Sequence, residues 1–134
     1  MMAQKMILHG FWRSGATWRL RIVLNLKGIP YTYHPVNLLA GDQKSPQHFE
    51  LNPMRQVPVL EVEGSERGGG IKMTESMAVC EWVEEMYPDP PLLPSDPKER
   101  FQVRRLCEII NSNTQPIQNL QVLQKVQKLG GNQK

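Results

Sequence analysis

Three short runs carry side chains whose types and spacing suit a polar ligand. The first, "RSGAT" at residues 13–17, sets Ser14 and Thr17 around Gly15 and Ala16, just after an apolar run and just before a helical pattern. A hydroxyl at a helix start has two uses. It caps the first free amides, or it donates to an anion that the positive end of the helix favours. A thiolate is one such anion, since a donor and a positive field are what stabilise it. The second run, "NPMRQVPVL", puts Pro58 at the head of a strand directly after Val57. An outward-facing Val57 N–H and C=O would pair with an extended peptide, while an ordinary edge-strand proline gives the same pattern. The third, "TES", opens another helix, where the Ser76 hydroxyl and first amides suit a carboxylate and Glu75 suits an ammonium. Simple N-capping by Thr74 or Ser76 accounts for the same residues.

These runs form one site only if their three loops meet. "KMILHGF" has the pattern of a short buried strand closed by glycine. From Ala16 the period lengthens: Trp18, Ile22 and Leu26 recur every four residues with Val23 beside them, and Gly28 stands where a helix stops. "PYTYHPV" reads as a strand near a sheet edge, followed by a polar loop with at most a short helix at residues 46–51. "VPVLEVEG" alternates as a strand, with Val57, Val59 and Glu61 on one face against Leu60 and Val62. "SERGGG" reads as a hairpin tip and "IKMT" as the return strand. Met77, Val79, Cys80, Val83 and Met86 then space a helix over 75–86. A βαβ half followed by ββα over residues 1–87 outlines a thioredoxin-like α/β domain, which carries all three runs to one edge of its sheet. There they would hold a thiolate, a peptide unit and an amino-acid head.

Five prolines within residues 87–97 make 88–97 an extended linker. Beyond it, Phe101, Leu106, Ile109, Ile110, Ile117, Leu120, Leu123 and Val126 predict one long amphipathic helix within 98–134, bent at Pro116. Its apolar stripe calls for a further segment or a partner to cover it. At 134 residues, 40% hydrophobic and 22% charged, the chain has the composition of a globular protein, and no run is long and apolar enough for a membrane span. A net charge of +3 without a dense basic stripe argues against nucleic acid. Two cysteines, Cys80 and Cys107, both in helical segments, argue against a disulfide framework or a zinc cluster and for a reducing, cytoplasmic setting.

Together, "RSGATWRLRIVLNLKGIPY", "VNLLAGD", "LNPMRQVPVL", the Glu75–Ser76 pair, "PLLPSDP" and "QPIQNLQVL" resemble the zeta class of glutathione transferases, the maleylacetoacetate isomerases, over nearly the whole chain. The resemblance implies a thioredoxin-like N-terminal domain and the start of an all-helical second domain. It implies glutathione as cofactor, no metal, and isomerisation of maleylacetoacetate to fumarylacetoacetate in tyrosine and phenylalanine breakdown. Maleylpyruvate is a related substrate, and some members transfer glutathione to α-halo acids. In that family the thiolate adds to the cis double bond, rotation follows, and elimination returns glutathione. Full-length members form homodimers.

Carried over by position, Ser14 matches the serine that stabilises the thiolate, and Thr17, Trp18 and Arg19 continue its loop. Gln43, Gln56 and Val57 match tripeptide contacts, with Pro58 as the family's cis proline. Glu75 and Ser76 match the head-group pair, and Gln115 and Asn119 match the "QPxQN" residues near the site. Arg13 and Arg19 are expected to meet a dicarboxylate substrate, Arg19 also serving catalysis beside Ser14. Gly15 and Ala16 stand where the family has serine and cysteine, which implies weaker glutathione activation. The family's helical domain is also longer than the part present here. A second reading therefore stays open, a weakly active or non-catalytic transferase-like interaction module. The lack of cysteine at positions 14 and 17 argues against a redox-active thioredoxin relative.

Overall fold

A computed structural model describes residues 5–64 and 70–131, so the expected hairpin tip lies outside the described residues except for Gly70. The chain divides into two compact units, Met1–Pro91 and Leu92–Lys134.

In the first unit the order is β1 (Met6–Gly10), α1 (Gly15–Leu26), β2 (Thr32–Pro35), a 3₁₀ turn (Asp42–Lys44), α2 (Pro46–Leu51), β3 (Val59–Val62), β4 (Ile71–Met73) and α3 (Ser76–Met86). The strands form one sheet in the order β2-β1-β3-β4. β1 runs parallel to β2 and antiparallel to β3, with Leu8 opposite both Tyr33 and Leu60; β4 returns antiparallel to β3, with Met73 opposite Leu60. This is the thioredoxin-like βαβ–ββα arrangement. Alternation sends Met6, Leu8, Leu60 and Val62 to one face, where they pack with Leu20 and Leu24 of α1 and Val79 and Val83 of α3. Burying eight such side chains is the main stabilising term of this unit, each contributing about 1.5–3 kcal/mol before entropy is counted.

α1 buries a different stripe from the expected one. Thr17, Leu20 and Leu24 face the core, while Trp18, Ile22 and Leu26 are 45%, 52% and 58% exposed. The cause is Gly10. A Cβ built there would lie 2.3 Å from Thr17 Cγ2, so the absence of a side chain lets Thr17 sit against β1. That seat fixes the rotation of the helix and turns the neighbouring stripe outward. Trp18 then covers polar ground: its indole N–H donates to the Trp12 carbonyl at 2.7 Å and the Arg21 guanidinium lies 4.3 Å from its ring centre. α1 stops as expected at Gly28 (φ 66°), with Gly28 N–H donating to Asn25 O and Ile29 N–H to Leu24 O. Lys27 is buried beside this stop, where its ammonium meets the Glu84 carboxylate at 2.5 Å and the Pro90 carbonyl at 2.7 Å. This joins the end of α1 to α3 and to the proline-rich segment.

The opposite face of the sheet is more polar. His9, buried, stands 3.1 Å from Glu61 through Nε2 and 5.0 Å from the His34 ring, and its Nδ1 has no partner among the described residues.

In the second unit the single long helix is replaced by α4 (Pro97–Glu108), a π-helical stretch (Ile109–Thr114) and α5 (Leu120–Lys128). Pro116 has no N–H and its ring excludes a regular turn before it. Upstream the bonding widens, with Gln115 N–H donating to Ile110 O at 2.9 Å and Thr114 Oγ1 to Ile109 O at 3.0 Å. Asn119 then restarts the helix by accepting from Gln121 N–H at 3.0 Å, as Asp96 does for α4 from Lys98 and Glu99. Phe101, Leu106, Ile110, Ile117 and Leu129 are exposed. Among the described residues no helix is long and apolar enough to cross a membrane.

One pH dependence follows from His9. Burial pushes its imidazole below the ordinary 6.5; the Glu61 hydrogen bond opposes this, and His34 and His48 add to the lowering. Unfolded, the ring takes a proton near pH 6.5 and the folded ring only at lower pH, so between the two the unfolded state binds more protons and stability falls as pH drops. Urea midpoints measured from neutral pH down to pH about 5 should decline, and His9→Gln should flatten part of that decline. Parallel curves for the two proteins would refute it.

Candidate functional site

Strand directions bring the three runs to one edge of the sheet. The turn after β1 leaves the edge at which β3 begins, because His9 pairs with Val59 in the antiparallel register. β4 runs with β1 and ends at that same edge, where it passes into α3. The loop after β2 leaves there too, held by Val36 N–H donating to Gly10 O at 2.8 Å.

Ser14 is the N-cap of α1. Its Oγ accepts from Thr17 N–H at 3.2 Å, and its own N–H donates to Phe11 O at 2.9 Å. Capping uses a lone pair of the hydroxyl and leaves its proton free, so the capping and donor roles coexist in one half-buried residue. Gly15 is exposed and Ala16 half-buried on the same turn. Thr17, expected at the ligand surface, is fully buried; its Oγ1 accepts from Phe11 N–H at 3.3 Å. It holds the turn from beneath because the rotation set at Gly10 points it inward.

The second loop is clamped through the carbonyl of Gln56, which accepts from His48 Nε2 at 3.0 Å and from Asn52 Nδ2 at 3.1 Å. Both clamping side chains are buried. Asn52 also accepts from Met54 N–H at 3.0 Å, and Arg55 takes a left-handed φ of 56°. Val57 follows, half-buried, with its N–H and C=O unpaired among the described residues. The Val57–Pro58 peptide is cis, and Pro58 is buried just before β3. His48 and Asn52 were not singled out from the sequence; an asparagine directly before Pro53 is the signal of a side chain that organises a turn.

At the start of α3 neither Thr74 nor Ser76 serves as the cap. The N-cap position is Glu75, exposed, at φ 63° and ψ 90°, and it makes no side-chain cap bond. A non-glycine residue held there carries local strain, and such strain gathers at working sites. Ser76 is 7% exposed, and its Oγ accepts from Arg19 Nη1 at 2.6 Å. Arg19, expected to face a second substrate, thus crosses from α1 to the first turn of α3. Arg13 is exposed at the first turn, its guanidinium 5.6 Å from the Trp12 ring centre.

Ser14, Val57, Glu75, Ser76 and Arg19 are therefore gathered within the first unit. Gln43 lies in the loop after β2, its Nε2 3.5 Å from Leu38 O and its buried Oε1 without a partner among the described residues. Gln56 is exposed at its side chain and contributes its carbonyl to the clamp. Gln115 and Asn119 belong to the second unit, where Asn119 caps α5, and are not among the residues the first unit brings together.

A thiolate-type turn without cysteine, an open strand-edge peptide and an uncapped helix start on a thioredoxin-like sheet define a class, and the profile of the glutathione S-transferase N-terminal domain family matches residues 13–86. The chain belongs to that family. It is 45% identical over 128 residues to the maleylacetoacetate isomerase of Mus musculus, covering 94% of this chain and 56% of that protein. It is 41% identical over 126 residues to the maleylpyruvate isomerase of a Ralstonia species, covering 94% and 57%. Among solved structures, the holo structure of a zeta-class bacterial maleyl pyruvate isomerase matches with a TM-score of 0.84 at 38% identity, over 95% of this chain and 57% of that one. The maleylacetoacetate isomerase of Anaeromyxobacter dehalogenans with bound GSH matches with a TM-score of 0.83 at 45% identity, over 96% and 59%. The chain thus spans a little over half the length of these relatives.

The buried Thr17–Phe11 bond gives a prediction that separates scaffold from ligand contact. Thr17→Val keeps the volume and strands the Phe11 N–H, so it should lower unfolding free energy by about 1–3 kcal/mol. Chemical denaturation measures this, and an unchanged midpoint would contradict it.

Proposed function

We propose that the edge of the sheet at Ser14, Val57 and Ser76 binds glutathione, and that the chain is the glutathione-binding part of a zeta-type isomerase acting on maleylacetoacetate or a close dicarboxylate relative. The observation that carries this reading is the meeting of three complementary groups at one sheet edge: a free hydroxyl proton at Ser14, an unpaired peptide at Val57 and a buried serine on an uncapped helix start. Their order suits the three parts of the tripeptide.

Ser14 donates to the sulfur while Thr17 N–H occupies a lone pair of its oxygen, so the hydroxyl stays oriented toward the anion. The positive end of α1 adds to the same field. Val57 pairs with the cysteinyl backbone as one strand does with another, held at its height by the clamped Gln56 carbonyl beside it. Ser76 and the first amides of α3 take the γ-glutamyl carboxylate, and the exposed Glu75 carboxylate takes the ammonium. When bound, glutathione supplies a thiolate that adds reversibly to a cis double bond and so permits rotation. Pro58 sets the strand entry, and Gln43 and Gln56 flank the tripeptide. Exposed Arg13 meets a substrate carboxylate. In the whole protein we place this unit in a cytoplasmic homodimer, with Leu92–Lys134 opening an all-helical domain.

Retention on immobilised glutathione, with glutathione-dependent loss of the cis-diene absorbance of maleylacetone, is the expected result. Ser14→Ala should raise the pKa of the bound thiol, read from thiolate absorbance in the ultraviolet, and cost about 1 kcal/mol of stability through the lost cap. Absence of retention, or a thiol pKa that Ser14→Ala leaves unmoved, would sink the proposal. Retention without isomerisation would instead mark a binding module.

A further inference from the structure

We infer that Arg19 is a positioning residue for the carboxylate end of the site, acting through the Ser76 hydroxyl. The inference rests on the glutathione reading above and concerns which way one proton points. A guanidinium holds only donors, so across the 2.6 Å contact Arg19 Nη1 donates and Ser76 Oγ accepts. The serine proton is then committed elsewhere, and a hydroxyl that accepts from a cation becomes the stronger donor.

Ser76 is 7% exposed, so any group that takes its proton must sit against the first turn of α3. There Glu75 leaves the first amides without a side-chain cap. Hydroxyl and amides thus all present protons in one place, and an anionic acceptor with several lone pairs, such as the ligand's carboxylate, satisfies them together. Without Arg19 the hydroxyl regains the freedom of an ordinary serine at a helix start. Its proton is then less polarised and can turn away from the ligand. Arg19 therefore favours the carboxylate by strengthening and aiming the serine proton, from a helix that the ligand's sulfur also addresses through Ser14. Its contact with α3 also fixes the spacing between the two helix starts, which separates the two ends of the ligand.

The test is calorimetric binding of glutathione and of γ-aminobutyryl-cysteinyl-glycine, which lacks the α-carboxylate, to the wild type, Arg19→Gln, Arg19→Lys, Ser76→Ala and the Arg19→Gln/Ser76→Ala pair. Arg19→Gln is expected to weaken glutathione about tenfold and to leave the analogue nearly unchanged. Arg19→Lys, which retains a donor, should recover much of the loss. In the Ser76→Ala background Arg19→Gln should cost nothing more. Equal losses for both ligands mean that Arg19 only holds the fold, and a full additional loss in the Ser76→Ala background means that it touches the ligand directly. Either outcome overturns the inference and leaves glutathione binding intact. A wild type that binds neither ligand removes the underlying reading, and the inference with it.

Discussion

At Gly10 the backbone of β1 and the side chain of Thr17 come so close that no Cβ fits between them. Much of the first unit follows from that approach. Thr17 turned inward gives the Phe11 amide its acceptor and gives Leu20 and Leu24 the core. The same rotation carries Arg19 toward α3 and leaves Trp18, Ile22 and Leu26 outside. Packing in a close-fitting core leaves little freedom once one contact is this tight.

The site combines parts whose roles overlap with those of the scaffold. Ser14 stabilises α1 and keeps a proton to give, so its two uses do not compete. At α3 the balance is different, for Glu75 sits at a left-handed φ with no cap bond and Ser76 answers to Arg19. A helix start left in this state forgoes about 1 kcal/mol of capping. Strain and unmet amides of this kind are tolerated where a ligand is to meet them. Between the two helix starts, His48 and Asn52 fix the Gln56 carbonyl and so the height of the Val57 peptide. The residues that do the holding are buried and those that do the meeting are partly open, apart from Ser76.

Much of this was legible from the residues in order. Period-2 and period-3.6 patterns, with glycine and proline as punctuation, located the four strands, α3 and the Gly28 stop; the short helix at residues 46–51 coincides with α2. Ser14, Val57 and Ser76 stood out because hydroxyls and prolines at element starts have few uses. The second unit was legible only in outline. An apolar stripe that continues through Pro116 looks continuous to any test of periodicity, yet the missing N–H broke it into α4, a π-helical stretch and α5. Asn119, carried over as a residue near the site, is also the cap that restarts the helix.

Local patterns, then, determined which segments became strand and helix and which hydroxyls stood at helix starts, because capping, turn chemistry and side-chain period act over a few residues. Contacts between distant segments decided the rest. The sequence of α1 holds two usable stripes, and the Gly10–Thr17 approach chose between them. Ser76, which accepts from Arg19, lies 57 residues from it, and the clamp on Gln56 depends on how α2 folds back over its own loop. No periodicity records a hydrogen bond across such a distance, since only the packed sheet and helices bring its two ends together.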